Sequence, residues 1–247
     1  MSDSPHSIRV ALVGAEGSGV RTLIGSLSGS LSPSSSGERL WDDLVIHLSA
    51  GRPTSVNLTD TGLLVVVVSA KQGVPSSLAS VWQEAAERAM PAVVVVTHVD
   101  DATVDLDEVT AMCQRVLSDG GEVFLPWLPI LDDHEGVCGF ISLLSEEIVD
   151  WSDGGPVRRE SETRHQELIE DSRAELCESV MLAVSDDQLF ASYMSGTPID
   201  GETIEAHMHE QIGRGLRHPV LGVGLTPHLL GVGLLLDTIS AVARTRG

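Results

Sequence analysis

Two glycines near the amino terminus have the spacing of a phosphate-binding loop. Gly14 and Gly19 are separated by four residues, as in the pattern G-x-x-x-x-G-K-[ST], whose backbone N–H groups surround a phosphate. The two positions that carry the chemistry differ from that pattern. Val20 occupies the lysine position, and Arg21 occupies the position of the serine or threonine that holds magnesium. The residues therefore predict a phosphate-shaped turn without the groups that bind the γ-phosphate and the metal.

Three interpretations of this turn are open. It is a tight strand-to-helix turn without a ligand, or it binds phosphate weakly, because N–H groups at a helix start attract anions without a lysine. In the third, Arg21 replaces the lysine, although one helical position rotates a side chain by about 100°. Glu16 places a negative charge inside the loop, which opposes anion binding. The candidate phosphate contacts are Gly14, Gly17, Ser18, Gly19, Arg21 and Thr22.

A mostly parallel α/β sheet flanked by helices is needed to position this turn. Four short apolar runs, at 10–13, 63–68, 92–96 and 219–223, are typical of buried parallel strands. Helical patterns separate them, and this alternation favours right-handed crossovers. Further expected elements are a polar loop at 29–37, a strand at 44–48, an edge strand at 122–130 and a helix at 140–151.

A group of helices is expected before the last strand. A polar linker at 152–163 precedes helical patterns at 165–184, 188–194 and 201–216, and the chain closes with a helix at 229–243. We therefore predict a main domain formed by residues 1–151 and 217–247. A helical insertion subdomain is predicted for residues 152–216.

The composition limits the classes of partner. The net charge of −21 argues against bare nucleic acid, because phosphate affinity comes from Lys and Arg that release counterions. The three scattered cysteines indicate buried thiols in a reducing cytoplasm and no metal spacing. Residues 1–7 lack a signal peptide's apolar region, and glycines and polar residues interrupt the apolar stretch 221–242. A cytoplasmic protein without a membrane segment is expected.

Several segments, taken together, resemble one family. IRVALVGAEGSGVRTLIGSL contains the loop, VNLTDT covers 56–61, and SVWQEAAERAMPAVVVVTHVDD ends at 101. The most specific run is ELIEDSRAELCESVMLAVSDDQLFASYMSGTPIDGETI. Over nearly its whole length the chain resembles the G domain of bacterial elongation factor G, and particularly the actinobacterial second paralogue. The resemblance implies a P-loop NTPase-like fold with a helical insertion before the last strand.

The chain departs from that family at the nucleotide site. The base-recognition motif N-K-x-D reads Thr97-His98-Val99-Asp100, so that only Asp100, implied to bind guanine, is kept. Gly224-Leu225 replaces the Ser-Ala loop after the last strand. The switch I and switch II segments, with the metal-binding threonine, have no counterpart. The resemblance thus implies guanine contacts at Asp100 but no catalytic and no metal-binding residue. The alternative for Asp100 is a turn or cap residue, which carboxylates after apolar strands often are.

The missing switch II segment predicts a change of topology. Only two residues separate 56–60 from 63–68, whereas a parallel crossover needs roughly a dozen residues. Both segments therefore cannot be neighbouring parallel strands of this sheet. We expect the strand at 44–48 to stay in the sheet and residues 51–61 to become a connecting loop.

The expected function is binding. We predict a stand-alone, catalytically degenerate translational-GTPase-like domain, or pseudo-GTPase, that acts near the translation machinery. The alternatives are a weak GTP- or GDP-binding protein of the elongation factor G family and a nonfunctional relic. No cofactor is expected, with GTP or GDP at low affinity as the open alternative.

Five carboxylates of the 165–184 helix suggest a partner. Their default interpretation is a solvated face, and the alternative is docking on a basic protein surface. The resemblance makes the ribosomal stalk protein the first candidate. The five residues are Glu167, Glu170, Asp171, Glu175 and Glu178.

Overall fold

The computed structural model of the 247-residue chain describes residues 7–33, 39–101, 103–117, 120–134, 136–225 and 229–246. The strands are β1 (Ser7–Gly14), β2 (Ser32–Pro33), β3 (Arg39–Trp41), β4 (Leu44–Gly51), β5 (Leu63–Ser69), β6 (Ala92–Thr97), β7 (Glu122–Phe124), β8 (Trp127–Leu131), β9 (Val137–Ser142), β10 (Glu147–Asp150), β11 (Val157–Glu160) and β12 (Arg217–Val223). The helices are α1 (Val20–Ser30), α2 (Leu78–Glu87), α3 (Leu106–Val116), α4 (Thr163–Leu182), α5 (Asp187–Met194), α6 (Gly201–Gly213) and α7 (Val232–Arg244).

An eight-stranded sheet forms the centre of the fold, in the order β2-β3-β4-β1-β5-β6-β12-β7. All its pairings are parallel except β2–β3 and β3–β4. Every residue of β5, β6 and β12 is buried, because helices cover both faces of the sheet. The apolar core on one face includes side chains of α1, α4, α6 and α7, and the core on the other includes those of α2 and α3. The expected mostly parallel α/β architecture is confirmed.

The altered topology around β1 is also confirmed. β4 pairs parallel with one edge of β1 and β5 with the other, and residues 52–62 connect them without a strand. Residues 56–61, which resemble a strand of the elongation factor family, thus lie in this connection. Gly51 is level with Val13 and Leu63 with Val10, so the chain moves back only about 10 Å along the strands. A loop without a helix covers that distance, and it buries Leu58 against the sheet.

The expected helix at 140–151 is wrong. This segment belongs to a second, antiparallel sheet of order β11-β10-β9-β8, with β9 and β10 joined by a turn. The Ser142 hydroxyl stabilises that turn by accepting from the backbone N–H groups of Leu144 and Ser145. Apolar residues recur every three or four positions on both sides of the turn, and so a hairpin produces the spacing of a helix.

Other boundaries also differ from the expectations. The edge strand predicted at 122–130 is two strands, β7 in the main sheet and β8 in the second, separated at Pro126. The linker at 152–163 contains β11. Of the loop expected at 29–37, residues 29 and 30 continue α1 and 32–33 form β2, whereas 34–37 lie outside the described residues. The α6 and α7 helices are shorter than predicted, because α6 ends at Gly213 and α7 begins at Val232.

The helices between β11 and β12 pack directly on the main sheet. The Gln211 side chain of α6 donates to the Val180 carbonyl of α4 over 2.9 Å. Arg217 of β12 is buried, donates to the Ser179 carbonyl over 2.9 Å and pairs with Glu122 at the same distance. These contacts join the insertion to the strand that follows it. The subdomain boundary at 152–216 stays a prediction.

None of the helices in the described ranges is long and apolar enough to cross a membrane.

Candidate functional site

The turn between β1 and α1 has the backbone shape that its glycines predict. Gly17 and Gly19 adopt φ values of 83° and 82°, in the left-handed region, and Gly19 caps the first turn of α1. A residue with a Cβ atom would cost roughly 1–2 kcal/mol at such a position. Val20, Arg21 and Thr22 begin the helix, and their N–H groups have no intrahelical acceptor.

Neighbouring atoms leave no room for side chains at these glycines. A Cβ atom on Gly14 would lie 2.8 Å from the Val67 carbonyl oxygen, and one on Gly19 would lie 2.6 Å from a methyl carbon of Leu225. Gly17 lies directly against the Gln72 side chain. The β5 backbone therefore requires glycine at 14, and the left-handed conformation favours glycine at 17 and 19, whether or not a ligand binds.

Thr97, at the end of β6, ties the turn to the sheet. Its buried hydroxyl lies 2.8 Å from the Ser18 carbonyl oxygen and 3.2 Å from that of Val68. A hydroxyl has one proton, so it donates to one of these carbonyls at a time. His98 Nδ1 lies 2.9 Å from the same hydroxyl oxygen and can donate to it. The loop is thus fixed by a contact that involves no ligand.

A cleft of about 740 Å³ opens above the turn, at the carboxyl ends of β1 and β4. Ligands of open α/β sheets bind in this place. Arg21 and Arg52 both line the cleft, and Glu16 contributes a negative charge. Arg52 was missed by the sequence reasoning. The one sequence feature that could have indicated Arg52 is its position directly after β4. That position predicts a place at the cleft only when β4 is known to pair with β1.

Five of the seven candidate residues line the cleft, and Ser18 and Asp100 do not. Ser18 is buried, and its hydroxyl has no hydrogen-bond partner within the described residues. Asp100 is exposed beside Gly224 and does not line the cleft. The lining includes the other five, namely Gly14, Gly17, Gly19, Arg21 and Thr22.

The carboxylate after Asp100 is engaged in a different contact. Asp101 forms an ion pair of 2.6 Å with Lys71, which follows β5. Hydrogen bonds from Lys71 and then from Thr103 hold the pKa of Asp101 below its usual value. Leu225 lies on Gly19, at the side of the loop where β12 ends. Within the described residues, Asp100 has no ion-pair partner, whereas Asp101 is paired with Lys71.

The groups around the loop fit phosphate and not magnesium. The free helix-start N–H groups and two guanidinium groups suit an anion. Magnesium prefers carboxylate oxygens together with phosphates, but among the described residues the only carboxylate of the lining is Glu16, within the loop itself. Across the described residues, no group of three or more His, Cys, Asp or Glu side chains has a metal-binding arrangement.

A second surface feature is the acidic face of α4, formed by Glu167, Glu170, Asp171, Glu175 and Glu178. All five are exposed, and at about 100° per residue they span about 140° of the helix. Leu168 and Leu182 project on the same side and are 80% and 60% exposed. The opposite side buries Ile169 and Val180. This face thus combines carboxylates with uncovered apolar side chains.

Comparison with known proteins agrees with this architecture. The elongation factor G-like protein of Mycobacterium tuberculosis (strain CDC 1551 / Oshkosh) is 29% identical over 181 residues, 73% of this chain and 23% of that protein. The protein of strain ATCC 25618 / H37Rv gives the same values. The chain therefore spans about a quarter of the length of these curated relatives. No protein-family model matches it.

A solved structure from Thermus thermophilus shows the same fold. It superposes with a TM-score of 0.76 at 21% identity, over 97% of this chain and 40% of that chain. The P-loop NTPase-like fold is confirmed by this match, and the resemblance to an elongation factor G-like G domain is confirmed by the curated relatives.

Proposed function

We propose that this elongation factor G-like domain is a pseudo-GTPase that acts by binding, near the translation machinery. One observation carries the proposal. The loop keeps its backbone shape and its tie to Thr97, yet Val20 and Arg21 occupy the two chemical positions at the cleft. The scaffold of a phosphate site is therefore kept without its catalytic groups.

Hydrolysis of GTP needs three contributions that this site does not supply. They are a loop lysine, a magnesium ion that bridges the β- and γ-phosphates, and a residue that positions the attacking water. Val20 is apolar, Arg21 cannot ligate magnesium, and the connection at 52–62 forms no switch II helix. Binding is the activity that these residues support.

The acidic face of α4 is the proposed docking surface, and the ribosomal stalk protein is the first partner to test. Reversing three carboxylates, in Glu167→Lys/Asp171→Lys/Glu178→Lys, should weaken binding to a basic partner at least about tenfold, because complementary charge speeds association. Increasing salt should weaken it further, through screening. Binding to purified stalk protein is measured by surface plasmon resonance at two salt concentrations.

A triple reversal at other exposed carboxylates is the control. Glu87→Lys on α2, Glu108→Lys on α3 and Asp133→Lys after β8 change the net charge equally and should leave the dissociation constant for stalk protein unchanged. If the unaltered chain does not bind stalk protein at low salt, the acidic face is only a solvated surface. Equal losses in both triple variants would show that net charge, and not this face, controls binding.

A second candidate function is weak binding of GTP or GDP, and the two arginines of the cleft favour it. Arg21 and Arg52 supply two positive charges against the single Glu16. Guanidinium groups bind phosphate in a bidentate manner without a metal. A nucleotide would then be held by its phosphates, with Asp100 contacting the base from outside the cleft.

Arg52→Ala should reduce the affinity for GDP at least about fivefold, or roughly 1 kcal/mol, by removing one charge-assisted contact. Calorimetric titration with and without magnesium should give the same dissociation constant, because the cleft lacks magnesium ligands. Arg164→Ala, which removes an exposed arginine at the start of α4, is the matched control. A failure to bind GDP at millimolar concentration excludes this second function but leaves the docking proposal standing.

A further inference from the structure

A second cavity lies between the antiparallel sheet, α6 and α7, away from the phosphate-type loop. Its volume is about 260 Å³, the share of liquid occupied by about nine water molecules. Trp127, Leu144, Met208 and Leu234 provide apolar walls. This size and lining suit a small organic molecule more than a nucleotide.

One arginine of the polar lining is paired with two carboxylates, which leaves this group with a formal charge of −1. The Arg158 guanidinium donates to both Glu147 and Asp237. Asp237 also accepts the indole N–H of Trp41 over 2.9 Å. These contacts connect β11, β10, α7 and β3. The side chains of Arg158, Glu147 and Asp237 therefore have a structural role, which is to hold these four elements together.

Two further lining groups have no partner of this kind. Glu205 and His209 lie one turn apart on α6, where side chains separated by four residues are neighbours. Neither side chain makes a hydrogen bond or ion pair with another described side chain or backbone group. Burial raises the pKa of the Glu205 carboxyl. The negative charges of Glu147 and Glu202 raise this pKa by smaller amounts, and the positive charge of Arg158 lowers it.

The imidazole completes the pair. Burial lowers the pKa of His209 to about 4, so the ring is neutral at pH 7 and offers one acceptor nitrogen. Both side chains are half-buried and keep their polar atoms free of protein partners within the described residues, so a donating ligand can form hydrogen bonds with them. With Glu147, Asp237 and Glu205 against one arginine, the formal charge of the lining is −2. This sign favours a cation.

We propose that this cavity binds a small organic ammonium ion, whose N–H groups donate to the Glu205 carboxylate and to His209 while its apolar body lies against Trp127 and Met208. An ammonium group has three donors and no acceptor, which matches an acceptor-only carboxylate beside an imidazole nitrogen. The indole adds a favourable cation–aromatic surface. The assignment does not depend on the function of the loop.

Phenethylamine is a suitable probe, and 2-phenylethanol is its uncharged counterpart. In a ¹H–¹⁵N titration of the full chain at pH 7, phenethylamine should shift amides of α6, β9 and α7 with a millimolar dissociation constant. The alcohol should bind at least about tenfold more weakly, because it lacks the charge. Glu205→Gln should abolish most of that difference while keeping the shape of the side chain.

Glu108→Gln on α3 is the matched control and should not change amine binding. Ser145→Phe, at an exposed lining position, should block both probes without altering the core. Thermal unfolding of each variant confirms that it is folded. The proposal is overturned if no shifts occur with amine in the millimolar range, if the shifts lie elsewhere, or if Glu205→Gln binds amine and alcohol as the unaltered chain does.

Discussion

The double variant Val20→Lys/Arg21→Thr should bind GDP with magnesium at least about tenfold more tightly than the unaltered chain, and should still not hydrolyse GTP. Val20 begins α1 at the wall of the cleft, where a lysine would face the phosphates above the free helix-start N–H groups. A charge-assisted hydrogen bond contributes roughly 1.5–3 kcal/mol, which corresponds to about 10- to 100-fold. Turnover stays absent because neither replacement supplies the residue that positions the attacking water.

Calorimetry with GDP and a single-turnover assay with GTP and ribosomes separate these two expectations. Val20→Met is the control for side-chain length without charge, and it should leave the affinity unchanged. Measurable phosphate release by the unaltered chain in the presence of ribosomes would overturn the pseudo-GTPase proposal. An unchanged affinity in the double variant would show that the cleft does not receive phosphates at this loop.

Gly231→Ala should lower the free energy of unfolding by about 2–5 kcal/mol. Gly231 caps α7 with a φ of 75°, and an added Cβ atom would overlap the carbonyl oxygen of Gly222 in β12 and approach Phe140. The left-handed conformation alone costs a residue with a Cβ atom roughly 1–2 kcal/mol, and overpacking against a buried strand adds about 1–3 kcal/mol. Urea unfolding followed by circular dichroism measures the change.

Gly196 provides a closely matched control. Its φ is 77°, but no heavy atom outside its immediate neighbours lies within 4 Å of an added Cβ atom. Gly196→Ala should therefore cost only the conformational part, roughly 1–2 kcal/mol. Equal losses in the two variants would show that contact with β12 contributes nothing, and that backbone conformation alone requires both glycines.

The strongly periodic parts of the fold could be predicted from the sequence. The valine runs of β5 and β6 have no polar residue before Ser69 and Thr97, and such short β-branched runs are typical of strands buried on both faces. The position of β4 in the sheet could be predicted because the two residues between 56–60 and 63–68 are too few for a parallel crossover. The segment 140–151 could not be assigned in this way, because a hairpin with a short turn imitates helical spacing over so short a range.

The candidate site was only partly predictable for a related reason. Gly14, Gly17 and Gly19 form one continuous motif, and local spacing is enough to find them. Arg52 reaches the cleft through tertiary structure, since it lies far from the loop in the chain and follows a strand whose neighbour is not evident from its own sequence. The pair Glu205 and His209 has helical spacing, but its burial depends on the second sheet.

The contacts beneath the phosphate-type loop provide a reason to keep its glycines that does not involve nucleotide binding. Gly14 abuts a strand carbonyl, Gly19 abuts Leu225, and Thr97 fixes the carbonyl of Ser18. Each of these demands comes from folding alone. A library of random substitutions screened only for expression would retain the loop glycines and let position 20 vary. In descendants of such a domain, the glycine pattern of a nucleotide-binding loop would therefore be kept after nucleotide binding was lost. The pattern would then be evidence for the fold and not for nucleotide binding.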